Sequence, residues 1–280
     1  MSLIWGQRTH VMGVINLTPD SFSDGGRFQT VERCLAQAKC QLAQGADVLD
    51  LGAQSTRPGA AEVGPEVELA RLLPSLGAIR QAYPHALLSV DTFLPKVAEA
   101  ALASGANWIN DVRGASTLRD PAMLRLVAAA GCPYVLMHSR GASAAMDRMT
   151  SYGDLVAEVR DCLLTASDQA ISVGVNPHQL IWDPGIGFAK TTEQNLMVLR
   201  ALPKLKAEGF PILIGPSRKR FIGAVLAESR PRARLWGTAA VCAQAITAGV
   251  DLLRVHDVGP IVQTARMLDA IVREESQAAL

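Results

Sequence analysis

The sequence predicts an α/β protein folded as one (β/α)8 barrel, the TIM-barrel architecture, and three observations carry that reading. Eight short aliphatic and β-branched runs recur about 34 residues apart, the length of a strand, a helix and their loops. Ala- and Leu-rich stretches with helical spacing lie between them. The runs are apolar on both faces, as in a parallel sheet covered by helices, and eight such units in this length fit a closed barrel better than an open sheet.

Taken in order, the strands are expected at 10–15, 48–51, 87–90, 108–110, 134–137, 180–182, 212–214 and 252–255. Helices are expected at 31–43, 67–81, 96–103, 122–130, 155–173 and 239–248. Gly45, Gly105, Gly131 and Gly249 close helices just before the next strand, since glycine accepts the left-handed conformation of a helix end. With no Pro- or Ser-rich linker and no low-complexity tract, residues 1–280 read as a single domain.

Composition excludes several function classes. Apolar residues make up 49% and charged residues 19%, which excludes disorder. Lys plus Arg total 27 against 26 Asp plus Glu, so no global field draws the chain to nucleic acid or an anionic membrane, and any anion site must be local. Every apolar stretch is broken before it reaches membrane-spanning length, and the first ten residues lack the basic start and apolar core of a secretory signal. A cytoplasmic location is expected. Cys34, Cys40, Cys132, Cys162 and Cys242 are unpaired in spacing and read as buried thiols of a reducing compartment.

Functional groups of such barrels gather where each strand meets the loop that follows. Just past the eight runs stand Asn16, the segment from Asp50, Asp91, Asn110 with Asp111, His138, Asp183, Ser217 to Lys219, and Arg254 with His256. Loops are polar in any protein, and Asp111 and Asp120 read most simply as turn or cap residues. Eight polar strand ends in succession point instead to a shared site. Arg254 and His256 are two apart, so they project to the same side of their strand and suit an anion; Asp257 can pair with Arg254 or begin a helix. The loop after Asp50, with Ser55, Thr56, Arg57 and Pro58, suits phosphate oxygens or forms an ordinary turn. Gly215 to Arg220 leads from a strand into a helix, where free amides favour anions, and Lys219 stands out because lysine is scarce here. Residues 16–26, with Phe22, read as a lid or a connector. In Asp183-Pro184-Gly185-Ile186-Gly187-Phe188 a carboxylate is followed by glycines that bend the chain clear, leaving room for a flat ligand.

Together these loops, in this order from about residue 10 to 260, resemble the dihydropteroate synthases. The resemblance independently implies the (β/α)8 fold. It implies a transferase that joins 6-hydroxymethyl-7,8-dihydropterin pyrophosphate to p-aminobenzoate, releasing pyrophosphate and forming dihydropteroate in folate synthesis. A pterin presents adjacent ring N–H and amino donors that a carboxylate accepts in bidentate fashion, and Asp183 is the residue assigned to them. By resemblance Asp91, Asn110 and Lys219 complete the pterin pocket, with Met137 as an apolar wall. Arg254 and His256 hold the pyrophosphate, and Asn16 helps to place a Mg²⁺ on it. Asp91, Lys219, Arg254 and His256 are the expected catalytic set, acting by electrostatic stabilisation of a departing diphosphate. Phe22, Asp24, Thr56, Arg57, Pro58 and Phe188 are expected to form the aminobenzoate pocket, with Ser217 and Arg220 toward its carboxylate. Sulfonamides are expected inhibitors, and a homodimer through barrel helices is the expected assembly.

Gln54 stands where many bacterial members carry Glu, and Arg220 where Ser is common, which bears on affinity for aminobenzoate and sulfonamides. A pterin-binding methyltransferase would share the pterin pocket without needing the Ser-Thr-Arg-Pro loop, the Ser-Arg-Lys loop and the Arg254/His256 pair together. A catalytically silent pterin-binding module would lack the pyrophosphate residues, which are present.

Overall fold

The computed structural model describes residues 3–18, 31–55, 61–116, 119–142 and 144–273. Strands and helices alternate: β1 (His10–Asn16), α1 (Val31–Ala43), β2 (Val48–Gly52), α2 (Pro65–Ala82), β3 (Leu87–Asp91), α3 (Pro95–Ala103), β4 (Trp108–Asp111), α4 (Pro121–Ala130), β5 (Tyr134–Met137), α5 (Leu155–Ser172), β6 (Leu180–Asp183), α6 (Thr192–Arg200), α7 (Leu202–Lys206), β7 (Leu213–Ile214), α8 (Arg220–Leu226), α9 (Leu235–Thr247), β8 (Leu252–Val255) and α10 (Val258–Val272). The strands are parallel in the order β6-β5-β4-β3-β2-β1-β8-β7. A single bridge between Trp182 and Ile212, with the Trp182 N–H donating to the Pro211 carbonyl at 2.9 Å, closes β6 onto β7.

The strand period of two sorts the side chains. Met12, Val48, Leu87, Trp108, Val135, Ile181, Leu213 and Leu252, one from each strand, pack together with Leu3 and Trp5 as an apolar plug at the N-terminal end. Their neighbours, such as Val11, Leu49, Leu88, Ile109, Leu136, Leu180 and Leu253, belong to the separate core beneath the helices. Two residues on from the plug, the inward face becomes polar with Asp50, Ser89, Asn110, Asp183 and Arg254. The same alternation that fills the barrel floor therefore delivers these groups to its C-terminal mouth.

The eight strands fall where expected, within a residue at their ends. Helices α6, α7 and α10 lie outside the helical stretches named from the sequence, although Asp257 can be read as the start of α10 and a capping box announces α6: Thr191 caps the Gln194 amide while the Gln194 side chain returns to Thr191 N–H. All five cysteines are free; Cys34, Cys132 and Cys242 are buried as expected, but Cys162 is only half-buried and Cys40 is exposed. Cys34, Ala38 and Gln41 take the buried stripe of α1, and the 3.6-residue period leaves position 40 on the outer face. Among the described residues no helix is long and apolar enough to cross a membrane.

Candidate active site at the barrel mouth

Asp50, fully buried in β2, anchors a hydrogen-bonded row across the barrel. Its Oδ2 accepts from Asn110 Nδ2 at 3.1 Å and from Arg254 Nε at 2.6 Å. Arg254 Nη2 donates in turn to Asp91 Oδ2 at 2.7 Å. Burial works against the Arg254 charge, yet Asp50 and Asp91 outweigh it and hold the guanidinium protonated more firmly than usual. Burial likewise pushes the Asp91 carboxyl well above the ordinary range, Arg254 opposing and Asp50 reinforcing the shift. Asp50 Oδ1 and Ser89 Oγ, neighbours in the β2–β3 register, are buried without hydrogen-bond partners among the described residues. Such unsatisfied acceptors at the floor of a polar mouth are suited to ligand or solvent donors.

Asp183 ends β6, and the turn after it is shaped by contact. Gly185 N–H donates to Asp183 Oδ1 at 2.7 Å, and His138 N–H donates to the Asp183 carbonyl at 2.9 Å. Gly185 has φ +70°, and a Cβ there would collide with the His138 carbonyl oxygen. Burial raises the Asp183 pKa, while Lys219, the Gly185 amide, Lys190 and Arg254 draw it down. Lys219 donates to the Ile186 carbonyl, and its ammonium lies 4.4 Å from the centre of the Phe188 ring. Burial brings the Lys219 pKa down to about 8, against the pull of Asp183. Met137 packs with Phe93 and Val112, and Phe188 lies against the same apolar wall.

The other flank is built around Ser217 and His256. Ser217 Oγ accepts from His256 N–H at 3.1 Å and stands 3.0 Å from His256 Nδ1, which presents Nε2 3.4 Å from Asn16 Nδ2. Asp257 is engaged by Arg218, at 2.9 Å to Nε and 2.5 Å to Nη2, rather than by Arg254. Arg254 and His256 thus serve different partners: one is drawn into the carboxylate row, the other faces Ser217 and Asn16. Arg220 opens α8 and pairs with Asp147 at 2.6 Å on the exposed rim. Phe22, Asp24, Thr56, Arg57 and Pro58 lie outside the described residues.

The structure therefore brings Asp91, Asn110, Asp183, Lys219 and Arg254 around one mouth. Each of Asp183, Lys219 and Arg254 is within electrostatic reach of the other two. Asp50 joins them, unassigned from the sequence although an acid inside the apolar run Val48 to Leu51 was its signal. Lys190 joins them too. Asp111 has the bland role expected of it, accepting from Tyr134 Oη at 2.7 Å and from Arg113 N–H, and Asp120 caps α4.

The family model described as pterin binding enzyme matches residues 12–256. A dihydropteroate synthase of Synechocystis is 48% identical over 269 residues, covering 96% of this chain and 92% of the relative. The chain belongs to the dihydropteroate synthase family. Among solved members of that family, the enzyme from Clostridium difficile, crystallised in the presence of pteroic acid, superposes with a TM-score of 0.90 at 40% identity, covering 98% of this chain and all of the other. The Yersinia pestis dihydropteroate synthase, in a sulfonamide drug complex, gives 0.89 at 36% identity over 94% of each chain.

Proposed function

We propose that this chain is a dihydropteroate synthase, condensing 6-hydroxymethyl-7,8-dihydropterin pyrophosphate with p-aminobenzoate to give 7,8-dihydropteroate and pyrophosphate. The observation that carries the reading is the polar inward ring of Asp50, Asp91, Asn110, Asp183, Lys219 and Arg254 above an apolar plug. Asp183 accepts the paired donors of the pterin, Asn110 and Lys219 meet its remaining polar edge, Met137 covers its face, and Phe188 lies beside that wall toward the aminobenzoate.

Departure of pyrophosphate leaves positive character on the pterin methylene, so the groups that matter hold the leaving diphosphate. Arg254 commits Nε and Nη2 to Asp50 and Asp91, which leaves Nη1 to approach a phosphate oxygen. His256 and Asn16 receive the other end. The aromatic amine is unprotonated near neutral pH and attacks without a strong general base. Arg220, held by Asp147, and Ser217 lie toward the carboxylate of the aminobenzoate.

Mg²⁺ fits this chain as an ion carried chiefly by the diphosphate. Among the described residues no group of three or more His, Cys, Asp or Glu forms a cage, and Asn16 offers a neutral amide oxygen, in keeping with the sparse protein ligation that Mg²⁺ accepts. When bound it would screen the diphosphate oxygens and ease their departure.

Sulfonamides, as mimics of the aminobenzoate, are inhibitors on this reading. The assembly is a homodimer through barrel helices and the location the cytoplasm; Val225 and Leu226 on α8 and Trp236 on α9 are exposed apolar side chains for a second copy to cover. Mixing the purified chain with dihydropterin pyrophosphate, p-aminobenzoate and Mg²⁺ tests the activity, and absence of dihydropteroate overturns it. Asp183→Ala is expected to abolish pterin binding by calorimetry.

A further inference from the structure

Lys190 follows the 184–189 loop and turns its ammonium back beneath it. Nζ donates to the Gly185 carbonyl at 3.0 Å and the Phe188 carbonyl at 3.1 Å, and lies 3.0 Å from His138 Nδ1. Three donors thus meet three acceptors, none a carboxylate. Burial, with the charges of Lys190 and Arg140, pushes the His138 pKa down to about 2. The ring is therefore neutral and Nδ1 accepts, with its proton on Nε2. From the other side Lys219 takes the Ile186 carbonyl, so the loop is gripped between two ammonium groups.

A loop needs no charge to be tied down. Asn195 does the same work with neutral groups, accepting from Gly187 N–H at 2.6 Å and donating to the Lys190 and Thr191 carbonyls. Lys190 instead carries a desolvated charge whose pKa burial brings down to about 7. One hydrogen bond beyond the carbonyl it holds, the Gly185 amide donates to Asp183.

We propose that Lys190 is a positioning residue for Asp183: its ammonium sets the 185–188 loop and places positive charge behind that carboxylate, so that it meets the pterin ionised and correctly aimed. The proposal rests on Asp183 being the pterin acceptor. The groups facing Asp183 are Lys219 from the β7–α8 loop, Arg254 from β8, Lys190 and the Gly185 amide from its own loop, and neutral His138 beyond β5 with Arg140 behind it.

The test is calorimetric titration of the full chain with 6-hydroxymethylpterin from pH 5.5 to 8.5, for wild type, Lys190→Met, Lys190→Arg and Asp183→Asn. Lys190→Met is expected to weaken binding about tenfold or more at the acid end and less at the alkaline end, because Asp183 then protonates more readily. The KM for p-aminobenzoate at saturating pterin substrate should change less than the pterin affinity does. Lys190→Arg keeps the charge and should keep the acid midpoint of binding near that of wild type. Unchanged pterin affinity and midpoint in Lys190→Met, with lower thermal stability alone, overturns the proposal. Normal pterin binding by Asp183→Asn removes the underlying assignment instead, so the two failures are distinguishable. Should Lys190→Met not fold, Lys190→Gln, whose amide retains one carbonyl contact, carries the same expectation.

Discussion

At the scale of single residues, the site joins groups whose charges depend on one another. Asp50→Ala would strip Arg254 and Asn110 of a shared acceptor and leave the guanidinium facing Asp91 alone. Breaking such a buried pair costs about 3–5 kcal/mol, so chemical denaturation should show a loss of that size; a change under about 1 kcal/mol would mean the row is not a supporting feature. Lys219 yields a pH prediction. Its ammonium donates only while protonated, and its pKa is brought down to about 8, so kcat/KM for the pterin substrate should fall as pH rises through that value. A profile flat to pH 9.5 would argue against a role for the Lys219 charge.

Among the elements, the β6–α6 loop and α2 show how packing overrides local preference. Gly185 has a positive φ and no space for a Cβ, so Gly185→Ala should destabilise the fold by more than about 1 kcal/mol and weaken pterin binding with it. Helix α2 buries Glu68, whose oxygens have no close hydrogen-bond partner among the described residues. Burial pushes its pKa up to about 7, with nearby Thr92 and Arg71 offsetting only part. The folded state therefore keeps the proton up to about pH 7, whereas the unfolded chain releases it near its ordinary 4.5. Stability consequently falls as pH rises across that window, by up to about 3 kcal/mol. Glu68→Gln has no such proton to lose, so its thermal midpoint should fall less than that of wild type between pH 5 and 8. Parallel curves for the two proteins would contradict this.

On the scale of the whole molecule, barrel closure is uneven. β1 and β2 share five registered pairs, whereas β6 meets β7 through one bridge backed by Trp182, which stacks on Phe210 at 4.6 Å and donates to Ser167 at 2.8 Å. The 212–214 amides should therefore exchange with solvent faster than those of β1, and uniform protection around the ring would refute a weak seam. Trp182→Ala, which removes the largest fully buried side chain at that seam, should cost about 3–5 kcal/mol.

The sequence by itself determined the barrel and the ends of its strands, because short apolar runs at a regular spacing and a polar residue at each run's end are local signals. It also determined the family, since several long loops in fixed order are a chemical signature. What tertiary structure decided was partnership. That Arg254 joins Asp50 and Asp91, that Asp257 turns to Arg218, and that Lys190 reaches beneath the Asp183 loop depend on residues far apart in sequence that only closure of the sheet brings within hydrogen-bonding distance. Helix α1 presented Cys40 to solvent for the same reason: which face of a helix is buried is settled by the sheet it packs on.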